Sequence, residues 1–264
     1  MADAYAALLD DLAAEHASLD ALVAELDETA WRTPTPAGGW DVRDSIAHLA
    51  YSEDLASTAA SDAEAFQVRL ENLMRAIAES PDALGARLIG EGRSKSGRDV
   101  LAWWRASRAA TLAALHTHEA KARLPWITGL MSAMSFATSR LMETWAHGED
   151  VADGLGVTRE PTARLHHVAD LGVRTRAHAY RNRGMEMPEA DVRVELTAPD
   201  ATTWTWGEPA ADVVRGPALD FCHVVTQRRN PADTRLEITG RHARAWIDIA
   251  QAFAGPATDH RAPS

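Results

Sequence analysis

Hydrophobic positions recur at helical spacing through the first 155 or so residues. Residues 3–28 carry leucine or valine every three to four positions, which predicts an amphipathic helix. The same spacing predicts a second helix that starts at Asp41, runs to about residue 60 and resumes over 62–79, a third helix over about 97–120 and a fourth over about 131–153. The stretch 80–98 carries glycine, proline and serine instead and is predicted as loop. Four long helices in one stretch of chain favour a four-helix bundle.

The pattern changes after Pro161, where helical and period-two segments follow one another. A helix, two strands, a helix, a strand and a final helix are predicted at 162–184, 192–196, 202–206, 216–229, 235–239 and 242–253. Pro217 suits the first turn of the second of these helices. The sequence therefore predicts an α+β, mainly α protein. A four-helix bundle would occupy 1–157, a small α/β domain 158–255, and a disordered tail 256–264.

Composition narrows the classes of function. The chain has 264 residues and a formal net charge of -11, so it lacks the positive surface that nucleic-acid binding needs. Its single cysteine, Cys222, excludes a disulfide framework within the chain and a cysteine-rich metal site. No apolar run approaches the roughly 20 residues that span a bilayer, and the acidic start does not resemble a signal peptide. We therefore expect no membrane partner and a cytoplasmic location.

The strongest chemical signal is Glu143 and His147 in the segment SRLMETWAHGEDVADGLG. Residues four apart share a helix face, so both side chains can hold one metal ion. The helix is otherwise apolar, and a buried glutamate is costly unless it is paired or bound to metal. His48, in GWDVRDSIAHL on the second helix, is the best third ligand. Two imidazoles and one carboxylate leave a position open, as in catalytic metal sites.

Four other residues carry weaker signals of a role at the metal site. Asp150, one turn after His147, could orient that ligand, but a solvated acid is the favoured interpretation. Trp40 and Trp145 adjoin the two motifs and could line a pocket. His16, on the first helix, is expected to be a core or surface residue rather than a ligand.

The segments GWDVRDSIAHL and LMETWAHGEDVADGLG together resemble the DinB-like metal-binding superfamily, in particular its actinobacterial branch that includes mycothiol-dependent maleylpyruvate isomerase. The resemblance implies an N-terminal four-helix bundle with a metal site, usually zinc, whose ligands fall on His48, Glu143 and His147. It also implies a smaller C-terminal α/β domain. There GPALDFCHVVTQRR resembles a helix that brings an arginine to the active site. Arg228 is the best match, and Arg229 is the alternative register.

The resemblance implies a thiol transferase or isomerase. Mycothiol would be the thiol cosubstrate, the metal would activate it as a thiolate, and the thiolate would attack an electrophilic small molecule. Arg228 or Arg229 would hold a carboxylate of the substrate or of the cofactor. A metal-dependent hydrolase and a non-catalytic metal-containing binding protein stay open as alternatives. The identity of the substrate also stays open. Iron, nickel or manganese could replace zinc, and the protein could be a monomer or a homodimer.

Overall fold

The structure is a computed structural model that describes residues 2–79 and 89–263. It divides into two compact units, Met1–Arg159 and Glu160–Ser264. The predicted fold class, α+β and mainly α, is confirmed. No helix among the described residues is both long and apolar enough to cross a bilayer.

Long helices form the N-terminal unit. In chain order they are α1 (Ala2–Val23), α2 (Val42–Ser61), α3 (Ala63–Glu79), α4 (Gly97–Leu115) and α5 (Ala133–Leu155). Helix α2 packs against α4, α5 and α3, and α1 packs against α5 and α4. Helices α1, α2, α4 and α5 therefore form the bundle, and α3 lies beside α2.

The starts of α2 and α5 are fixed by side-chain caps. At α2, the Asp44 amide donates to the Asp41 carboxylate at 2.8 Å, and the Asp41 amide donates back to Asp44 at 3.4 Å. At α5, the hydroxyl of Ser132 accepts from the Ser135 amide at 3.1 Å. Each cap stabilises its helix by about 1 kcal/mol. The caps also set the register of the functional side chains that follow.

The core of the bundle consists of the apolar positions that the helical spacing predicts. Leu8, Leu12 and Leu19 of α1 are at most 1 % exposed, and Trp31 and Trp104 are buried as well. Each fully buried large apolar side chain contributes about 1.5–3 kcal/mol relative to an exposed one. The bundle thus offers a rigid frame for polar groups placed between its helices.

A β-hairpin between α4 and α5 was not predicted. Strands β1 (Arg123–Trp126) and β2 (Gly129–Ser132) pair antiparallel. Pro125 and Gly129 read as helix breakers in the sequence, which hid the strands. A proline is compatible here because a two-stranded ribbon consists only of edge strands.

Three predicted boundaries in this unit are wrong. Helix α1 ends at Val23 rather than 28, because Leu26 continues the apolar pattern but packs on the core from the irregular segment after the helix. Helix α4 ends at Leu115 rather than about 120. Within the predicted loop 80–98, residues 89–93 are helical, and 80–88 lie outside the described residues.

The C-terminal unit combines short helices with one mixed sheet. Its elements are α6 (Leu165–Arg174), α7 (Arg176–Asn182), β3 (Val192–Thr197), β4 (Thr203–Trp206), β5 (Asp212–Pro217), α8 (Ala218–Val225), β6 (Glu237–Thr239) and α9 (Arg241–Ile247). The strand order is β4-β3-β5-β6; β3 and β5 are parallel, and the outer pairs are antiparallel. The strands predicted at 192–196 and 202–206 are confirmed.

Two helices predicted in this unit have wrong extents. The single helix predicted over 162–184 is two helices, because the chain leaves helical geometry at Thr175, whose hydroxyl donates to the Leu171 carbonyl at 2.8 Å. Strand β5 was missed, and Pro217 ends it and caps α8 instead of lying in the first helical turn.

The C-terminal end of the chain also differs from its prediction. Helix α9 ends at Ile247 rather than 253. Residues 256–263, the described part of the segment predicted as a disordered tail, have no helix or strand but form hydrogen bonds with the rest of the unit. The Gln227 amide donates to the Thr258 carbonyl at 2.9 Å, and a ring nitrogen of His260 lies 2.7 Å from the Ile247 carbonyl. These bonds satisfy backbone groups that a tail would leave to water.

Candidate metal centre

The three predicted metal ligands meet between α2 and α5. Nε2 of His48 lies 3.7 Å from an Oε atom of Glu143, and Nε2 of His147 lies 3.6 Å from the same oxygen. The centroids of the two imidazoles are 4.5 Å apart. Packing of α2 on α5 thus brings together residues almost a hundred positions apart in the sequence.

The spacing of these three donors fits a small divalent cation. Zinc bonds of about 2.0–2.2 Å in tetrahedral geometry place ligand atoms about 3.3–3.6 Å apart. The separations of 3.6 and 3.7 Å from Glu143 are close to that range. Within residues 2–79 and 89–263, His48, Glu143 and His147 form the one group of at least three acidic, histidine or cysteine side chains close enough to share an ion.

The site is enclosed but still reaches solvent. The side chains of His48, Glu143 and His147 are 13 %, 17 % and 11 % exposed. Three protein donors leave at least one coordination position, and the residual exposure gives a ligand a way to it.

Burial sets the protonation states that metal binding requires. Burial, together with the charge of His147, lowers the pKa of His48 from 6.5 to about 4. Burial raises the pKa of Glu143, but interactions with both imidazoles and the charge of Arg140 outweigh it and hold that pKa well below 4.5. At neutral pH the site therefore offers a neutral imidazole at His48 and a carboxylate at Glu143, the forms that bind metal.

Asp150 lies behind His147, and the expectation that it is a solvated acid is wrong. It is fully buried, and its Oδ2 is 3.4 Å from Nδ1 of His147. A carboxylate there favours the tautomer with its proton on Nδ1, which leaves the Nε2 lone pair pointing toward Glu143. The sequence showed the spacing of three residues but could not show the burial.

Trp40 forms a wall of the site, as its position in the first motif suggested. Its ring stacks on the imidazole of His147 at 5.7 Å with an angle of 19°, and lies 5.3 Å from that of His48. Trp145 is buried in α5, and its carbonyl accepts a hydrogen bond from Arg159. Trp40 thus shields the two histidines, whereas Trp145 belongs to the packing of the helix.

Arg140 is the residue near the site that the sequence analysis missed. It lies one turn before Glu143 and is 3 % exposed. Its charge lowers the pKa of both His48 and Glu143. The signal in the sequence was its position on the ligand face, three residues before Glu143 and seven before His147.

The two arginines predicted for carboxylate binding follow α8 in the C-terminal unit, and both are half-buried. Nη1 of Arg228 donates to the Thr226 carbonyl at 2.7 Å, and Nη1 of Arg229 donates to the Arg228 carbonyl at 3.0 Å. The chain turns sharply between them and the helix, since Gln227 has a φ of 60°. Their roles stay predictions.

Known proteins resemble this chain in sequence and in fold. The family model described as the mycothiol maleylpyruvate isomerase N-terminal domain matches residues 12–152. Uncharacterized proteins from two strains of Mycobacterium tuberculosis are each 43 % identical over 247 residues, which cover 93 % of this chain and 95 % of theirs.

A solved structure shares the fold at low sequence identity. The crystal structure of the mycothiol-dependent maleylpyruvate isomerase matches with a TM-score of 0.57 and 16 % identity, over 85 % of this chain and 89 % of that one. A histidine-to-alanine variant of that enzyme matches equally well. The family model spans more than half of the chain, including all three residues of the candidate metal centre, and the relatives span nearly all of it. The chain therefore belongs to the mycothiol maleylpyruvate isomerase N-terminal domain family, the branch that its two motifs indicated.

Proposed function

We propose that this protein is a metal-dependent enzyme that uses a low-molecular-weight thiol, mycothiol, to isomerise or modify an electrophilic small molecule. The observation that carries the proposal is the spacing of 3.6–3.7 Å among two imidazole nitrogens and one carboxylate oxygen, with residual exposure. Membership of the family supports the thiol and the class of reaction. Zinc is the metal that this donor set favours.

Each side chain of the centre has a distinct task in this proposal. His48 and His147 supply nitrogen donors, and Glu143 supplies one negative charge. Asp150 keeps His147 in the tautomer that presents Nε2. A bound zinc ion would lower the pKa of a thiol, so that the thiolate is available near neutral pH. Trp40 covers the imidazoles and limits the access of water from its side.

Arginines of the C-terminal unit complete the proposal. Arg228 would pair with a carboxylate of the substrate or of the thiol cosubstrate, and Arg229 is the alternative at the same chain turn. A guanidinium suits this task because it stays charged and donates two parallel hydrogen bonds to a carboxylate.

The experiment compares thiol binding in the wild type and in two histidine variants. His147→Ala removes a ligand, whereas His116→Ala changes an exposed histidine at the end of α4. Elemental analysis and calorimetry with mycothiol would be run on all three. We expect one zinc per chain and zinc-dependent mycothiol binding in the wild type and in H116A, with both lost in H147A.

Two results would contradict the proposal in different ways. Zinc without mycothiol binding would reject the thiol and favour a hydrolase. No metal in any of the three proteins, after reconstitution with zinc, would reject the metal centre itself.

A further inference from the structure

Arg140 is a buried cation with two hydrogen-bond donor atoms that have no acceptor within the described residues. It is 3 % exposed, and its Nε and Nη1 atoms are buried without an acceptor. The nearby Arg159 is different, because it bonds Glu15 and Glu149. Burying a charge is costly unless it is paired and hydrogen-bonded. The unused donors of Arg140 therefore indicate an anionic acceptor that the chain does not supply.

An aromatic platform holds Arg140 from one side. Its Cζ lies 4.7 Å from the ring centroid of Trp126, in the unpredicted hairpin. Trp126 is itself fixed by Phe136, edge-on at 5.1 Å, and by Phe66, stacked at 6.0 Å. A guanidinium above a ring interacts through its face and keeps the N–H donors in its plane for other acceptors. The hairpin thus orients Arg140 without consuming its donors.

The acceptor would lie beside the metal centre. Arg140 lies one turn before Glu143 and two turns before His147 on α5, so the three residues share one face of that helix, the face that meets His48. A divalent ion and Arg140 would bring three positive charges, against two from the carboxylates of Glu143 and Asp150. A small, enclosed site with surplus positive charge favours an anionic ligand.

We propose that Arg140 binds the carboxylate of a small-molecule substrate at this centre and makes the site selective for carboxylate-bearing ligands. The inference rests on the proposed function in taking the centre as the place where the substrate binds. A carboxylate fits better than a halide or a neutral amide, because it accepts two hydrogen bonds from one guanidinium.

The test measures the binding of succinate, with succinamide as its neutral counterpart, by calorimetry on zinc-loaded and zinc-free protein. Arg140→Met removes the charge and keeps an unbranched apolar side chain on Trp126. Arg108→Met is the matched control, since Arg108 lies 4.2 Å from the ring of Trp104 but already bonds Asp20 and the His16 carbonyl. We expect the wild type and R108M to bind succinate and not succinamide. Arg140→Met should weaken succinate binding about 10- to 100-fold, the loss of a hydrogen bond to a charged group.

Two further variants separate charge from folding. Arg140→Lys keeps the charge without the fork and should bind with intermediate affinity, and Arg140→Gln should match R140M. Circular dichroism and thermal melting identify variants that fold. If R140M does not fold, the comparison of R140K with R140Q shows whether succinate binding needs a positive charge at this position.

Equal succinate affinity in the wild type and the neutral variants would overturn the inference, and so would a wild type that does not bind succinate. The proposed function fails separately. Arg140-dependent binding in a protein that takes up no zinc would support the inference and reject the metal enzyme. If the protein binds zinc and mycothiol but its succinate affinity does not depend on Arg140, the proposed function is supported and the inference about Arg140 is rejected.

Discussion

Two histidine–glutamate contacts lie inside the same bundle, and they differ in what they can do. His16 on α1 and Glu53 on α2 approach to 3.8 Å, a separation similar to the 3.6–3.7 Å between Glu143 and the imidazoles of His48 and His147. Residue type and distance alone therefore do not distinguish the two places.

The difference lies in the number of donors and in access. The side chains of His16 and Glu53 are 3 % and 0 % exposed, and they belong to no group of three metal-ligating residues among the described part of the chain. The ring of His16 instead meets Trp104 edge-on at 6.0 Å. A pair sealed in the core can stabilise or destabilise the fold, whereas a triad that reaches solvent can bind an ion and a ligand.

The largest expected effects come from substituting the histidine at each of the two places and comparing stability with zinc affinity. His16→Ala truncates a buried side chain and leaves a cavity beside Glu53, which should lower the free energy of unfolding by about 2–5 kcal/mol and keep one zinc per chain. His147→Ala should lower zinc affinity by more than about 100-fold, because it removes a ligand rather than a residue behind one. Urea denaturation with a chelator present and competition with a zinc indicator measure the two quantities. Loss of zinc in H16A would contradict the conclusion that the pair of His16 and Glu53 takes no part in metal binding.

An intermediate effect is expected from pH on the metal-free protein. The pKa of His48 is lowered from 6.5 to about 4, so the unfolded chain binds its proton more readily than the folded one. The stability that His48 contributes is therefore complete above pH 6.5 and is lost as the pH falls toward 4. At 1.36 kcal/mol per pKa unit this amounts to at most about 3 kcal/mol.

Denaturation with urea between pH 7 and 5 measures this loss of stability. This pH range lies above the one in which protonation of Glu143 changes the stability. His48→Gln should make the profile less steep, because it removes one titrating group, while His166, His178 and His260, whose pKa values burial also lowers, remain. An unchanged slope in H48Q would assign the pH dependence to other groups.

The smallest effect should come from the residue behind a ligand. Asp150→Asn keeps the size of the side chain and removes its charge from Nδ1 of His147, which should weaken zinc binding by about 10- to 100-fold. Asp10→Asn, at an exposed position of α1, is the matched control and should bind as the wild type does. Equal affinities in the two variants would mean that Asp150 does not orient the ligand.

The local part of the metal centre could be predicted from the sequence, because it depends on helix geometry. Glu143 and His147 are one turn apart, and the cap at Asp41 fixes where the helix of His48 begins. The apolar surroundings of the motif indicated that the pair lies in a core. The structure brings the candidate third residue, His48, close to this pair, and their binding of a metal stays a prediction.

The remainder depends on long-range packing, which no local pattern contains. Burial of Asp150 and the approach of His16 to Glu53 arise only when the helices meet. Arg140 is a polar residue, and its burial against Trp126 of the hairpin arises only in the folded unit. The hairpin itself was hidden because Pro125 suggests a break within a helical pattern and is permitted in a strand at an edge.

The most direct test of the metal centre is anomalous diffraction at the zinc absorption edge from crystals of the zinc-loaded protein. We predict a single peak per chain, within about 2.0–2.2 Å of Nε2 of His48, Nε2 of His147 and a carboxylate oxygen of Glu143. A zinc peak held by other residues, or none in protein that was loaded with zinc, would contradict the assignment of these three residues as ligands.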